Sequence, residues 1–504
     1  MDMDFISNLA LGFQSALSWT HILYCFAGVS IGTLIGVMPG MGPVATVAML
    51  LPATYALEPS GALIMLAGIY YGAQYGGSTT AILVNIPGEA ASVVTCLDGH
   101  QMAKRGRAGA ALGIAAIGSF IAGCVATLLI AAFAPPLTRL AFEFGPAEYF
   151  SLMVLGLIGA VVLATGSLLK AVCMILLGLL IGLIGTDVNS GALRYTFGVD
   201  ELMEGIDFVA LSMGIFGFAE IMRNLEFTVR RTLVPGRVGS VLPTREDLKV
   251  CAGPIARGTI LGSLLGVLPG GGALLASFAS YTVEKKLAGE KADPPFGSGN
   301  IRGVAGPESA NNAGAQTSFI PMLTLGIPSN AVMALMIGAM MIHDIVPGPQ
   351  VMTTDPSLFW GFIVAMWIGN LILVILNLPM ISVWIQLLKV PYRMLYPAIL
   401  VFCCIGVFSI NNNVWDVWVT VFFGFVGYLF SKLGCEPAPL VLGFILGPMM
   451  EENLRRALLL SRGDPMTFIT SPISCGFLIA SVFLIIIVAL PALRKTREEA
   501  FRED

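Results

Sequence analysis

The sequence predicts an all-α polytopic membrane protein with about 10–12 transmembrane segments, supplemented by helical hairpins and discontinuous helices. Three observations predict it. Apolar residues fill 56% of the 504 positions and charged residues only 12%, about half the charge of an ordinary soluble domain. Apolar residues run continuously instead of alternating, so no strands are expected. Gly (58 residues) and Pro (29) punctuate these runs, leaving several too short to cross a hydrocarbon core of about 30 Å. The same composition excludes a soluble globule and a disordered chain. With 27 Lys and Arg against 31 Asp and Glu, no basic domain exists for nucleic acid.

In chain order, apolar stretches suited to helices lie near 22–38, 43–57, 61–86, 88–103, 109–133, 147–165, 168–186 and 207–222. A polar, basic stretch follows over 223–257. The second series lies near 258–268, 272–282, 309–327, 329–346, 358–378, 380–388, 395–410, 414–431, 437–449 and 472–490. The N-terminal run carries Asp2 and Asp4 and no preceding basic residue, unlike a secretory signal, so it is expected to remain in the mature protein. The nine cysteines show no metal-ligand spacing and are expected to act as small apolar residues.

Basic residues set an orientation. Lys104, Arg105 and Arg107 are the first in the chain. Further groups are Arg223, Arg230, Arg231, Arg237, Arg245, Lys249 and Arg257, then Lys285, Lys286, Lys291 and Arg302, and finally Arg494, Lys495, Arg497 and Arg502. The positive-inside rule makes these four places cytoplasmic, the C-terminus included. Arg139, Lys170, Arg194, Lys389, Arg393 and Lys432 read as segment-end anchors.

An internal repeat emerges from the motifs. GTLIGVMPGMG (32–42) and GSLLGVLPGGG (262–272) share seven of 11 residues at an offset of 230. Ile86-Pro87-Gly88 is echoed by Ile327-Pro328-Ser329 at an offset of 241. The loop after the first hairpin, 56–61, has no basic residue, whereas its counterpart, 281–302, has four. The segment after the first Ile-Pro ends in KRGR (104–107) and its counterpart ends in HDIVPGPQ (343–350), without Lys or Arg. The basic side swaps, so residues 1–250 and 251–504 read as two halves of an inverted-topology repeat, a pattern of secondary transporters.

Helices that stop at membrane depth expose unpaired N–H and C=O groups, which ligands can satisfy. Four breaks are expected, at 39–43, 269–272, 85–88 and 326–330. Half-helix N-termini suit carboxylates and C-terminal carbonyls suit cations. The expected substrate-binding residues are Ser78, Thr79, Thr80, Asn85, Gly88, Asn311, Asn312, Thr317, Ser318, Ser329 and Asn330. The expected cation-binding residues are Pro39, Gly40, Gly42, Gly270, Gly271, Gly272 and Thr324. Each hydroxyl has an alternative use, bridging helices or bonding its own backbone. Glu89 and Glu308 read either as functional carboxylates or as partners of a helix dipole, and His343–Asp344 reads as an interfacial polar pair or a proton relay. No Walker A, HExxH or GxSxG motif occurs, so neither an ATPase nor an enzyme is expected. No transition-metal site or cofactor is expected beyond a coupling ion, Na⁺ or H⁺.

At these motifs the sequence resembles a known family. GVMPGMGPVATVAMLLPATYALEPSG and its continuation through YYGAQYGGSTTAILVNIPGEAAS, within 36–113, resemble the large membrane subunit of bacterial tripartite tricarboxylate transporters. So do GVLPGGGALLASFASY (266–281) and GPESANNAGAQTSFIPMLTLGIPSN, which opens 306–351. The resemblance implies residence in the bacterial inner membrane, a small four-helix membrane subunit as partner and a periplasmic solute-binding protein that delivers the solute. It also implies Na⁺- or H⁺-driven import of citrate or related carboxylates, with elevator-type movement expected by analogy. A binding-protein-independent anion channel or exporter, and a proton-coupled carrier of a different organic acid, are the alternatives.

Overall fold

The computed structural model describes residues 5–38, 41–163, 167–187, 190–226, 240–268, 272–289, 292–387 and 392–489. Pro39, Gly40, Gly270 and Gly271 lie outside them, as do Arg230, Arg231, Arg237, Lys291, Lys389, Arg494, Lys495, Arg497 and Arg502. The described residues are helical almost throughout. Against the expectation of no strands, a two-residue antiparallel ladder pairs Gly185–Thr186 with Leu193–Arg194. It is a local turn closure, too short for a periodicity signal.

The first half contains α1 (Phe5–Ala16), α2 (Trp19–Gly36), α3 (Pro43–Leu50), α4 (Pro59–Val84), a composite α5 (90–104), α6 (Ala108–Ala141), α7 (Pro146–Leu163), α8 (Leu168–Gly182) and α9 (Phe208–Glu226). The second contains α10 (Arg245–Gly266), α11 (Gly272–Ala288), α12 (Arg302–Thr317), α13 (Phe319–Leu325), α14 (Ala331–Ile342), α15 (Pro356–Asn377), α16 (Tyr392–Asn411), α17 (Val414–Lys432), α18 (Ala438–Leu460) and α19 (Pro472–Ala489). Among the described residues, six helices are long and apolar enough to cross a membrane singly, and six shorter apolar ones accompany them. The helix expected at 109–133 runs on through Pro135 and Pro136 to Ala141.

Helix boundaries follow local chemistry. Pro43 and Pro59 open α3 and α4, where a missing N–H costs nothing. Thr244 and Asp247 form a reciprocal capping box on α10. Two of the four expected breaks, at 85–88 and 326–330, are turns; those at 39–43 and 269–272 lie partly outside the described residues. Asn85 ends α4 at φ 59° and Gly326 ends α13 at φ 71°, both left-handed caps.

Small residues let the long helices touch. A Cβ on Gly28, Gly32 or Gly36 would stand 2.2–2.3 Å from the carbonyl oxygens of Met65, Ile69 and Ala73, so α2 lies directly on α4. A Cβ on Gly258, Gly262 or Gly266 would meet the carbonyls of Gly306, Ala310 and Gly314 at 2.2–2.3 Å, placing α10 on α12 in the same way. This is close packing through small side chains, the means of helix association where no hydrophobic drive exists. Tyr70, Tyr71, Phe319 and Phe362 then form a buried aromatic cluster, with centroids 5.3–6.3 Å apart, that ties α4, α13 and α15 together.

Candidate functional site

The helix starts converge. A cavity of about 260 Å³ is lined by the first residues of α3 (Gly42, Pro43, Val44), α11 (Gly272, Ala273, Leu274) and α14 (Asn330, Ala331, Val332). Residues at the start of α18 (Glu436, Ala438, Pro439, Leu442) close it, with Glu89–Ala91 after the first break, Tyr70 and Ala160. First-turn N–H groups have no partner inside their own helix. Four such ends bring about +2 of partial charge to one place, at roughly half a charge each. Among the described residues no Lys, Arg or His lines the cavity.

Two carboxylates line it as well, Glu89 and Glu436. The Oε1 atom of Glu89 is buried without a hydrogen-bond partner. The Glu89 N–H donates to Ser92 Oγ at 3.3 Å, which fixes the backbone after the break. Asn330 holds the opposite wall. Its Oδ1 accepts from the Met333 N–H at 3.0 Å, and its Nδ2 donates to Ser318 Oγ at 3.1 Å. Ser318 in turn donates to the Gly314 carbonyl at 2.7 Å, and Ser329 donates to the Ser318 carbonyl at 3.2 Å. Ser318 and Ser329 thus stand behind Asn330 and support it.

The other expected substrate residues fall into different places. Ser78 and Thr79 line a second, much smaller cavity. Thr80 donates to the Gly77 carbonyl at 2.8 Å and Thr317 to the Ala313 carbonyl at 3.1 Å, both bonding their own helices. Gly88 packs its backbone on Gly77, and Asn85 is exposed at its turn. Asn311 and Asn312 join a polar cluster around Glu308, with Asn312 Nδ2 2.7 Å from Ser119 Oγ. Of the expected cation residues, Gly42 and Gly272 line the large cavity, and Thr324 donates to the Ile320 carbonyl at 2.7 Å. Sequence reasoning missed the wall from α7 and α18. The Pro437-Ala438-Pro439 helix start was the one available signal.

Several charged side chains are structural. Asp98, fully buried, accepts from Tyr281 Oη (2.9 Å) and from the N–H groups of Gly297 (3.0 Å), Gly299 (2.7 Å) and Asn300 (2.7 Å). It staples α5 to the loop ahead of α12. Arg257 forks onto buried Glu284 at 2.6 and 2.8 Å, closing the α10–α11 hairpin. Arg194, Arg455, Asp187 and Glu451 form a network that fastens the strand turn to α18. Lys432 pairs with Glu226, and Lys170 donates to the Leu433 carbonyl, so both have specific partners at their segment ends. Burial lowers the half-buried His343 imidazole below its usual range, against the opposing pull of the Thr54 carbonyl and Asp344.

This architecture defines a multi-pass helical membrane protein with a polar cavity formed at helix breaks. The chain belongs to the tripartite tricarboxylate transporter TctA family, whose model matches residues 22–442. It is therefore a component of a tripartite transport system that has other subunits, and not an enzyme. It is 57% identical over 502 residues, the whole of both chains, to an "Uncharacterized 52.8 kDa protein in TAR-I ttuC' 3'region" of Agrobacterium vitis. It is 58% identical over 243 residues, 48% of this chain and all of the relative, to an "Uncharacterized protein in TAR-II ttuC' 3'region" of the same organism. No solved structure matches it.

Proposed function

We propose that this chain is the solute-translocating subunit of a binding-protein-dependent importer of tricarboxylates such as citrate, or related carboxylates, driven by Na⁺ symport. The observation that carries the reading is the meeting of four helix starts and two carboxylates in one cavity of about 260 Å³. The helix ends offer about +2 of partial charge, and the oxygens of two carboxyl side chains face the same cavity. A multiply charged anion entering alone would be uncompensated. Entry with cations restores the balance, which favours symport over a simple anion channel.

Residues 1–250 and 251–504 act as inverted halves, and alternating access follows an elevator-type movement. The glycine contacts repeat at the 230-residue offset of the hairpin motifs, which supports the paired-half reading. The partners are a small four-helix membrane subunit and a periplasmic solute-binding protein. The chain sits in the bacterial inner membrane with its C-terminus in the cytoplasm, following the distribution of Lys and Arg. Equilibrium binding of a carboxylate panel to the purified chain, in NaCl and in choline chloride, tests the reading. Carboxylate binding that strengthens with Na⁺ is expected. Binding of equal strength in both salts would contradict symport.

A further inference from the structure

A second polar site, which shares no lining residue with the large cavity, surrounds Glu308. Its residue is 1% exposed. Its carboxylate accepts from Ser78 Oγ at 2.7 Å, from Thr95 Oγ1 and, at 3.5 Å, from Asn311 Nδ2. Among the described residues no Lys, Arg or His pairs with it. A buried carboxylate with only neutral donors is expensive, because hydrogen bonds offset part of the desolvation and leave the charge uncancelled. Beside it is a cavity of about 20 Å³, lined by Glu308, Ser78, Thr79, Ser119 and Asn377 among others. One water-sized occupant needs roughly 10–15 Å³ on this measure. The space holds one small ion and excludes a carboxylate solute.

An independent observation marks the same cavity as incomplete. Asn377 is 6% exposed and its Oδ1 has no hydrogen-bond partner. The amide orientation is fixed, because Nδ2 donates to the Leu373 carbonyl at 2.9 Å. An acceptor therefore lines a water-sized cavity that also holds a carboxyl group bonded only by neutral donors. Every polar group on that wall presents oxygen, the donor set of a hard cation and not of a transition metal.

We propose that this cavity binds one Na⁺, held by the Glu308 carboxylate, the Asn377 amide oxygen and the hydroxyls of Ser78, Thr79 and Ser119. The site differs from the hairpin tips where the sequence places the cation. It rests on the symport reading and gives it a route. Ser78 lies on α4 before the first break and Thr95 lies after it, both bonded to Glu308, while the residues that follow the break, Glu89–Ala91, line the solute cavity. An ion on Glu308 thus fixes both flanks of the segment that faces the solute.

Thermal unfolding of the purified full-length chain, in NaCl against choline chloride at constant ionic strength, reads occupancy directly, since a ligand of the native state raises the melting temperature with concentration. A saturable rise with Na⁺ is expected in the parent. Glu308→Gln should abolish that rise, and Asn377→Ala should move its midpoint at least tenfold to higher Na⁺. If Glu308→Gln does not fold, Asn377→Ala carries the test. Parent-like Na⁺ midpoints in both variants, or no Na⁺ effect in the parent, would overturn the site. Failure of the symport reading is separate, and shows as carboxylate uptake indifferent to every cation gradient.

Discussion

Replacing Asn330 by Asp isolates the electrostatics of the large cavity from its architecture. Asn330 caps α14 through Oδ1, 3.0 Å from the Met333 N–H, and touches Ser318 through Nδ2 at 3.1 Å. Aspartate is an equally good cap and carries a favourable charge for a helix start. The Ser318 hydroxyl is able to turn and donate to it, so folding should change by less than about 1 kcal/mol. The new charge is another matter. A sphere of 260 Å³ has a radius of about 4 Å, so a bound carboxylate lies on the order of 5 Å from residue 330. At an effective dielectric of about 20, two unit charges at that distance repel by about 3 kcal/mol, which is over 100-fold in affinity. The assay is equilibrium binding of citrate in saturating Na⁺, paired with a melting curve. Asn330→Asp should melt like the parent and bind at least 100-fold more weakly, while Asn330→Ser, a cap without charge, should stay within about tenfold. An Asn330→Asp protein that binds citrate within threefold of the parent would refute the placement of the anion at this helix start.

Three further outcomes follow from the same geometry. Glu89→Gln keeps the size of a cavity side chain whose Oε1 has no partner but cannot ionise, and should remove a roughly tenfold or greater weakening of carboxylate binding as pH rises; isothermal titration at two pH values checks it. Gly32→Ala drives a methyl to 2.3 Å from the Ile69 carbonyl and should cost about 1–3 kcal/mol, whereas Gly476→Ala, with nothing within 4 Å, should leave the melting temperature unchanged. Asp98→Asn turns an NH₂ group toward donors now aimed at a carboxylate and forfeits about two charge-assisted bonds, near 3 kcal/mol locally; hydrogen exchange should quicken at Gly297, Gly299 and Asn300.

The two breaks at Ile-Pro were readable in the amino-acid order because they rest on local chemistry. Asn85 and Gly326 take left-handed φ values directly before Ile-Pro, as those residue types favour. The hydroxyl roles were not readable in that way. Thr80, Thr317 and Thr324 bond carbonyls of their own helices, while Ser78, at the same apparent depth, reaches a carboxylate 230 positions away. Which of these a hydroxyl does depends on the helix face it occupies after packing, and sequence spacing does not report that. Ala160 and the start of α18 escaped for the same reason. Apart from Glu436, they are apolar or prolyl residues that take a place in the cavity wall only through tertiary contact. Glu308 was visible as a membrane carboxylate, yet its partners come from α4, α5 and α12, and the carboxylate's environment exists only in the assembled fold.

The central claim is that this chain carries carboxylates inward with Na⁺ on delivery by a binding protein. Citrate uptake into proteoliposomes containing the chain and its small membrane partner, with binding protein added outside, measures it. Uptake that requires both the binding protein and an inward Na⁺ gradient is the predicted result. Carboxylate flux that proceeds without either one would contradict the account.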